Sequence, residues 1–188
     1  MSGRVLKLIG RVLLPRRGRD FVRSESGVTA IEFGLLAVPF FTIIGAILET
    51  SVVFLSGQVL DSAVHDASRL IRTGQVQAVG MSAATFKQRI CDRLYGLFSN
   101  CNQLHVEVQL LTTFNATNIS APVDMTGVNR GWTRPEVFTP GVGSSIVLVQ
   151  VYYKWPVILG AGNLTLANLP DGKRILGAAT VFRNEPFG

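Results

Sequence analysis

From Val28 to Glu49 the sequence is almost continuously apolar, and this run constrains what the rest of the chain can become. At about 1.5 Å per residue it forms a helix of roughly 33 Å, enough to cross the hydrocarbon core of a bilayer. Gly34, Pro39 and Gly45 are compatible with that reading, because spanning helices tolerate both residue types, and Pro39 predicts a kink. Apolar character resumes at Val52, Val53, Phe54 and Leu55, so the span can shift outward by a few residues. Glu32 is the anomaly. A carboxylate near the start of a spanning helix costs up to a few kcal/mol unless an interface or a partner accommodates it, so it calls for a reason.

Charge sets the orientation. The chain has 188 residues and a net charge of +6. Most of that excess lies before the run, on Arg4, Lys7, Arg11, Arg16, Arg17, Arg19 and Arg23. Basic residues ahead of a hydrophobic span follow the positive-inside pattern, which accounts for the charge without nucleic-acid binding. Residues 1–27 are therefore expected to be a cytoplasmic leader, 28–55 a transmembrane helix and 56–188 a stem and head on the far side. Val5 to Leu14 mixes basic and apolar residues and ends at Pro15, as a short surface-lying helix would. Two other readings stand beside this one. A secretory signal cut near Ser56-Gly57 would need an apolar core far longer than usual, and a buried soluble helix would have to explain the flanking charge.

Beyond the run, Val59, Leu60, Ala63, Val64, Ala67, Leu70 and Ile71 recur at helical spacing, with Asp61, Asp66, Arg69 and Arg72 on other faces. One long helix over 28–73 is predicted, with Gly74 as its C-cap. Ser82 is positioned to cap a second helix reaching Gly96, with Phe86, Ile90 and Leu94 on one face. Then the period changes. Residues 105–110 alternate, 146–155 are β-branched and aromatic, and 178–182 form a short apolar run, which predicts three strands. Residues 112–144 and 160–174 collect turn formers and read as loops. The fold class is α+β: a long N-terminal transmembrane helix continuing into an amphipathic stem, with a small helix packed on an antiparallel sheet.

Gly27 followed by Val28-Thr29-Ala30-Ile31-Glu32-Phe33 resembles the processing site of type IV prepilins and pseudopilins, with the carboxylate at the fifth position beyond the glycine. The stretch SGVTAIEFGLLAVPFF is similar to the start of TadE-like proteins of tight-adherence pilus systems, and the ending AATVFRNEPFG resembles the end of that family. The middle of the chain matches only in outline. The resemblance implies a minor pilin or pseudopilin of the bacterial inner membrane, with a periplasmic head. Its implied partners are a prepilin peptidase, other pilin or pseudopilin subunits, the inner-membrane platform of the pilus and membrane lipid. It also implies a role for Glu32: pairing with the amino terminus of a neighbouring subunit. Cleavage after Gly27 would free the amine of Val28 on the same helix face as Glu32, one turn away. Gly27 suits the position before the cut because a missing side chain lets the backbone enter a narrow cleft. The plain alternative for Glu32 is an interfacial carboxylate that reaches water by snorkelling.

Other constellations carry less. Cys91 and Cys101 are the only cysteines; in an oxidising compartment they would pair, contributing about 2–3 kcal/mol, and otherwise they are buried thiols. His65 and His105 do not share metal-ligand spacing with both cysteines, and His65 beside Asp66 reads as a surface residue. There is no nucleophile motif, phosphate loop or paired-carboxylate scaffold, so no catalytic role, metal or cofactor is expected. Asn115, Asn118 and Asn163 open N-x-S/T triplets that would matter only in a eukaryotic secretory pathway. Arg183, Asn184, Glu185 and Pro186 read as a terminal strap with Arg and Glu paired in the head, or else as a solvated tail. Leu35, Pro39, Ile43 and Ala46 define a packing face, with Gly34 and Gly45 allowing close approach. Besides the processed subunit, two further readings are an unprocessed single-pass scaffold, with Glu32 answering to Arg23, and a periplasmic enzyme released near Gly57.

Overall fold

The computed structural model describes residues 25–98, 100–117, 119–126, 130–161 and 164–187. Residues 1–24 of the leader, Arg23 among them, and Asn118 and Asn163 therefore lie outside the described residues. The chain divides between Gly45 and Ala46 into two compact units.

Helix α1 runs from Glu25 to Arg72, as the apolar run and the stripe beyond it together require. In the first unit its side chains are nearly all exposed, including Phe33, Leu35 and Leu36 at about 70%. In the second unit the helix becomes amphipathic. Val53, Leu60, Ala63, Val64, Ala67 and Ile71 are buried in the core, at the three- and four-residue steps that keep side chains on one helix face. Gly74 ends the helix in the left-handed region at φ 76°, and its amide donates to the carbonyl of Ile71. A single helical turn, α2 (Gln75–Ala78), follows, too short to show a period in the sequence.

Helix α3 spans Ala83–Asp92. The Ser82 hydroxyl accepts the amide of Thr85 at 3.2 Å, which satisfies one of the donors a helix start leaves free. The helix stops four residues short of Gly96, and the chain continues in turns with Gly96 at φ 73°. Phe86, Ile90 and Leu94 still form the buried face.

The sheet has the order β2-β1-β3-β6, with β1 at His105–Leu111, β2 at Val137–Phe138, β3 at Ile146–Pro156 and β6 at Lys173–Arg183. The fold is α+β, as expected, and the short additional strand β2 makes its sheet mixed. β1 and β3 pair antiparallel from His105↔Tyr152 to Leu111↔Ile146, and β3 and β6 from Ile146↔Arg183 to Pro156↔Lys173, but β2 lies parallel to β1. The 112–144 loop thus returns along the sheet edge and adds two residues to it. β6 begins five residues earlier than the apolar run suggests. Its Gly177 interrupts the pattern because a Cβ there would meet the Tyr152 ring at 2.8 Å. A small hairpin, β4 (Gly160–Ala161) with β5 (Leu164–Thr165), lies in the second loop.

One sheet face, with Val106, Val108, Val147, Val149, Val151, Tyr153 and Ala178, packs into the core with α1 and α3. Phe98 meets Tyr153 and Trp155 edge-on at 4.8 and 5.4 Å, closing one end of that core.

Candidate assembly helix and the head behind it

The first unit contributes a helix whose chemistry is almost all outward. Val28, Ile31, Phe33, Leu35, Leu36, Val38, Phe40, Phe41, Ile43 and Ile44 are exposed. The packing face expected from Leu35 and Ile43 is thus open, and Glu32 is exposed among apolar neighbours. A Cβ added to Gly34 would meet nothing within 4 Å, so no contact within the chain requires a glycine there. Pro39 sits inside the helix and has no amide to donate to the carbonyl of Leu35. Next to it, the Thr42 hydroxyl donates to the Val38 carbonyl at 2.7 Å, a back-bond that satisfies a polar group inside an apolar helix. α1 is the one helix among the described residues long and apolar enough to cross a membrane.

Three devices stiffen the second unit. The first is covalent: Cys91, on α3, and Cys101, just before β1, form a disulfide with Cα atoms 5.8 Å apart. The second lies on the sheet face away from the helices, where the alternating polar residues of β1 would ordinarily meet water. There, His105 and Glu107 are buried to within 2% of full exclusion. Glu107 accepts from Arg134 Nη2 at 3.2 Å on both oxygens and from Gln109 Nε2 at 3.0 Å, and His105 Nε2 lies 2.9 Å from it. Trp132 stacks on His105 at 4.7 Å, and Lys154 sits 4.6 Å over the Trp132 ring. Arg134 also donates to the Ser120 carbonyl at 2.7 Å, so one guanidinium holds two parts of the long loop against the sheet.

Electrostatics around this cluster follows from its burial. Burial, and after it the Glu107 charge, push the Tyr152 hydroxyl above its ordinary pKa, with Arg134 opposing. That hydroxyl donates to Gln150 Oε1 at 2.7 Å. Burial lowers the Lys154 pKa, with Asp171 opposing and Lys173 adding. At Asp171 burial acts upward, but the hydrogen bond and charge of Lys173, and the charge of Lys154, hold the carboxyl below its usual range.

The third device is the C-terminal strap. Asn184 is buried and donates its side-chain amide to the carbonyls of Pro140 and Val142 at 3.0 and 2.9 Å. Glu185 is paired with Arg72 at 3.5 Å rather than with Arg183, and its amide donates to the Arg72 carbonyl at 2.9 Å. Phe187 lies over Gly74, where a Cβ would meet its ring at 2.7 Å. The strap therefore fastens the end of α1. His65 is a surface residue, 3.8 Å from Asp61 one turn away.

Residues 27–69 match the family of TadE-like proteins. The TadE-like segment takes in the exposed apolar half of α1 and most of the stripe that packs into the head. The match is to a pilus-associated family and covers less than half of the chain. The sheet, disulfide and strap lie beyond the TadE-like segment. No curated protein and no solved structure matches the chain. The Glu107–Arg134 pair escapes a sequence reading, since His105-x-Glu107-x-Gln109 reads as the wet face of a strand. The signal available was Trp132 and Arg134, a bulky aromatic and a cation two residues apart in a loop rich in turn formers.

Proposed function

We propose that this chain is a minor pilin- or pseudopilin-like subunit of a tight-adherence type IV pilus, activated when a prepilin peptidase cuts after Gly27. The observation that carries the reading is the exposed apolar half of α1 with Glu32 near its start, within the segment that matches TadE-like proteins. Residues 1–27 form the cytoplasmic leader, 28–55 span the inner membrane, and 56–188 form the periplasmic stem and head.

Before cleavage the peptide nitrogen of Val28 is neutral. Hydrolysis of the Gly27–Val28 bond leaves a carboxylate on the leader and an amine on Val28 that is protonated at neutral pH. Val28 and Glu32 share one helix face, so a positive charge appears beside a poorly solvated negative one. Pairing across subunits then favours a bundle in register over a helix surrounded by lipid. Phe33 begins the apolar surface that packs in that bundle, with Gly34, Pro39 and Gly45 shaping close approach. The inner-membrane platform supplies the setting, and the strap Arg183, Asn184, Glu185 and Pro186 keeps the head closed on the helix it serves.

N-terminal sequencing and intact mass of protein from native membranes, beside a Gly27→Ala variant, test this. A mature chain starting at Val28 in the parent and absent from the variant supports it. A leader retained in both rejects processing and makes the chain an unprocessed membrane scaffold.

A further inference from the structure

Within the second unit, the segment after β3 presents apolar side chains to solvent. Ile158 is 86% exposed and Leu159 is 42% exposed. The backbone beneath them is satisfied in an unusual way. The amides of Ile158 and Leu159 both donate to the carboxylate of Glu49 on α1, Leu159 at 3.1 Å. Pro156, which ends β3, has no amide to satisfy. Around Glu49 the helix carries Ile47, Leu48, Val52, Phe54 and Leu55, all exposed, while Val53 on its other face is already buried in the core. The loop and this stretch of α1 thus form one exposed apolar belt. The carboxylate at its centre is already hydrogen-bonded.

We propose that this belt is a lipid-contact surface, and that the β3–β4 loop seats the head in the interfacial layer of the membrane. The inference rests on the membrane-spanning reading of α1. A segment enters the headgroup boundary at low cost when its apolar side chains point out and its backbone donors have partners, and Glu49 supplies those partners. The carboxylate would otherwise be a costly charge beside apolar chains; the two amides offset that cost. Trp155, half-buried at the end of β3, is of the residue type that favours this layer. Arg174, opposite Trp155 in the ladder, places a cation at the same end of the sheet, where an anionic headgroup would complement it, while Lys173 beside it is paired with Asp171 at 3.1 Å. The occupant is lipid rather than a protein partner because the belt is continuous with the helix surface that the bilayer covers.

The full chain reconstituted in nanodiscs tests this with one added thiol at a time, since Cys91 and Cys101 are bonded to each other. An environment-sensitive label is placed through Ile158→Cys, through Leu35→Cys in the span and through Val142→Cys. Val142 is 72% exposed and precedes β3, whose 11 residues separate it from Ile158 by roughly 35 Å. Lipids carrying a nitroxide high on the acyl chain are the quencher. The expected result is loss of emission at positions 35 and 158 and none at 142. Quenching at 35 but not at 158 overturns the lipid contact and leaves the span intact, while quenching at neither overturns both. Equal quenching at 158 and 142 also refutes the assignment. So does a label at 158 that is shielded from an aqueous quencher yet untouched by the nitroxide, a pattern that indicates a protein partner.

Discussion

Removing Arg134 isolates the energetics of the covered sheet face. Glu107 is 1% exposed and draws three of its hydrogen bonds from this guanidinium, which is itself 39% exposed. In Arg134→Met the carboxylate keeps only Gln109 and His105, and the Ser120 carbonyl loses a donor. Stranding one member of a buried ion pair costs about 3–5 kcal/mol, and solvent access to the arginine places this case near the lower end. For a head of this size, about 3 kcal/mol corresponds to a fall in Tm on the order of 10 °C. Glu107→Gln in the same background removes the stranded charge and should recover more than half of the loss. The assay is thermal unfolding of the full chain in detergent, followed by tryptophan emission, because Trp132 stacks within the cluster. A fall below about 1 kcal/mol in Arg134→Met, the size of a surface pair, would refute the argument that the charge is desolvated. So would a double variant no more stable than the single one.

Three further outcomes follow from the geometry. Gly74→Ala combines a residue at φ 76° with a Cβ placed 2.7 Å from Phe187, so it should destabilise by about 1–3 kcal/mol and loosen the strap, read as faster amide exchange at Glu185. Gly34→Ala meets no atom, so the isolated chain should be unchanged or up to about 1 kcal/mol more stable; a clear loss of stability would place a contact there. Tyr152 has a raised folded pKa, so its contribution is complete below the ordinary tyrosine pKa and is lost as pH rises through the folded value. Stability of the parent should therefore fall on the alkaline side, and Tyr152→Phe should flatten that limb while costing about 1 kcal/mol at neutral pH through Gln150.

The long helix, the positions of β1 and β3 and the buried faces of α1 and α3 were legible because each is written in a local period: 3.6 for Leu60 to Ile71, 2 or a β-branched run for β1 and β3. What was not legible depends on contacts distant in sequence. β2 is two residues long and exists only because the returning loop lies beside β1, with Glu136 accepting the Val106 amide. The first part of β6 was hidden by Gly177, whose reason is the Tyr152 ring on the next strand. Asn184 looks like a tail residue until Pro140 and Val142 are seen to face it. Glu49 looked like the end of a hydrophobic run, and its use as an acceptor for Ile158 and Leu159 requires knowing where β3 ends.

The strap also has a mechanical meaning. If the chain assembles as proposed, load reaches the head through α1. Residues 185–187 are fastened to the end of that same helix, through Glu185 on Arg72 and Phe187 over Gly74. The ladder from Ile146↔Arg183 to Pro156↔Lys173 runs directly into this fastening. Tension on the end of α1 therefore reaches residues that are also tied to β6, and the head should yield as one unit at high force rather than unravel strand by strand.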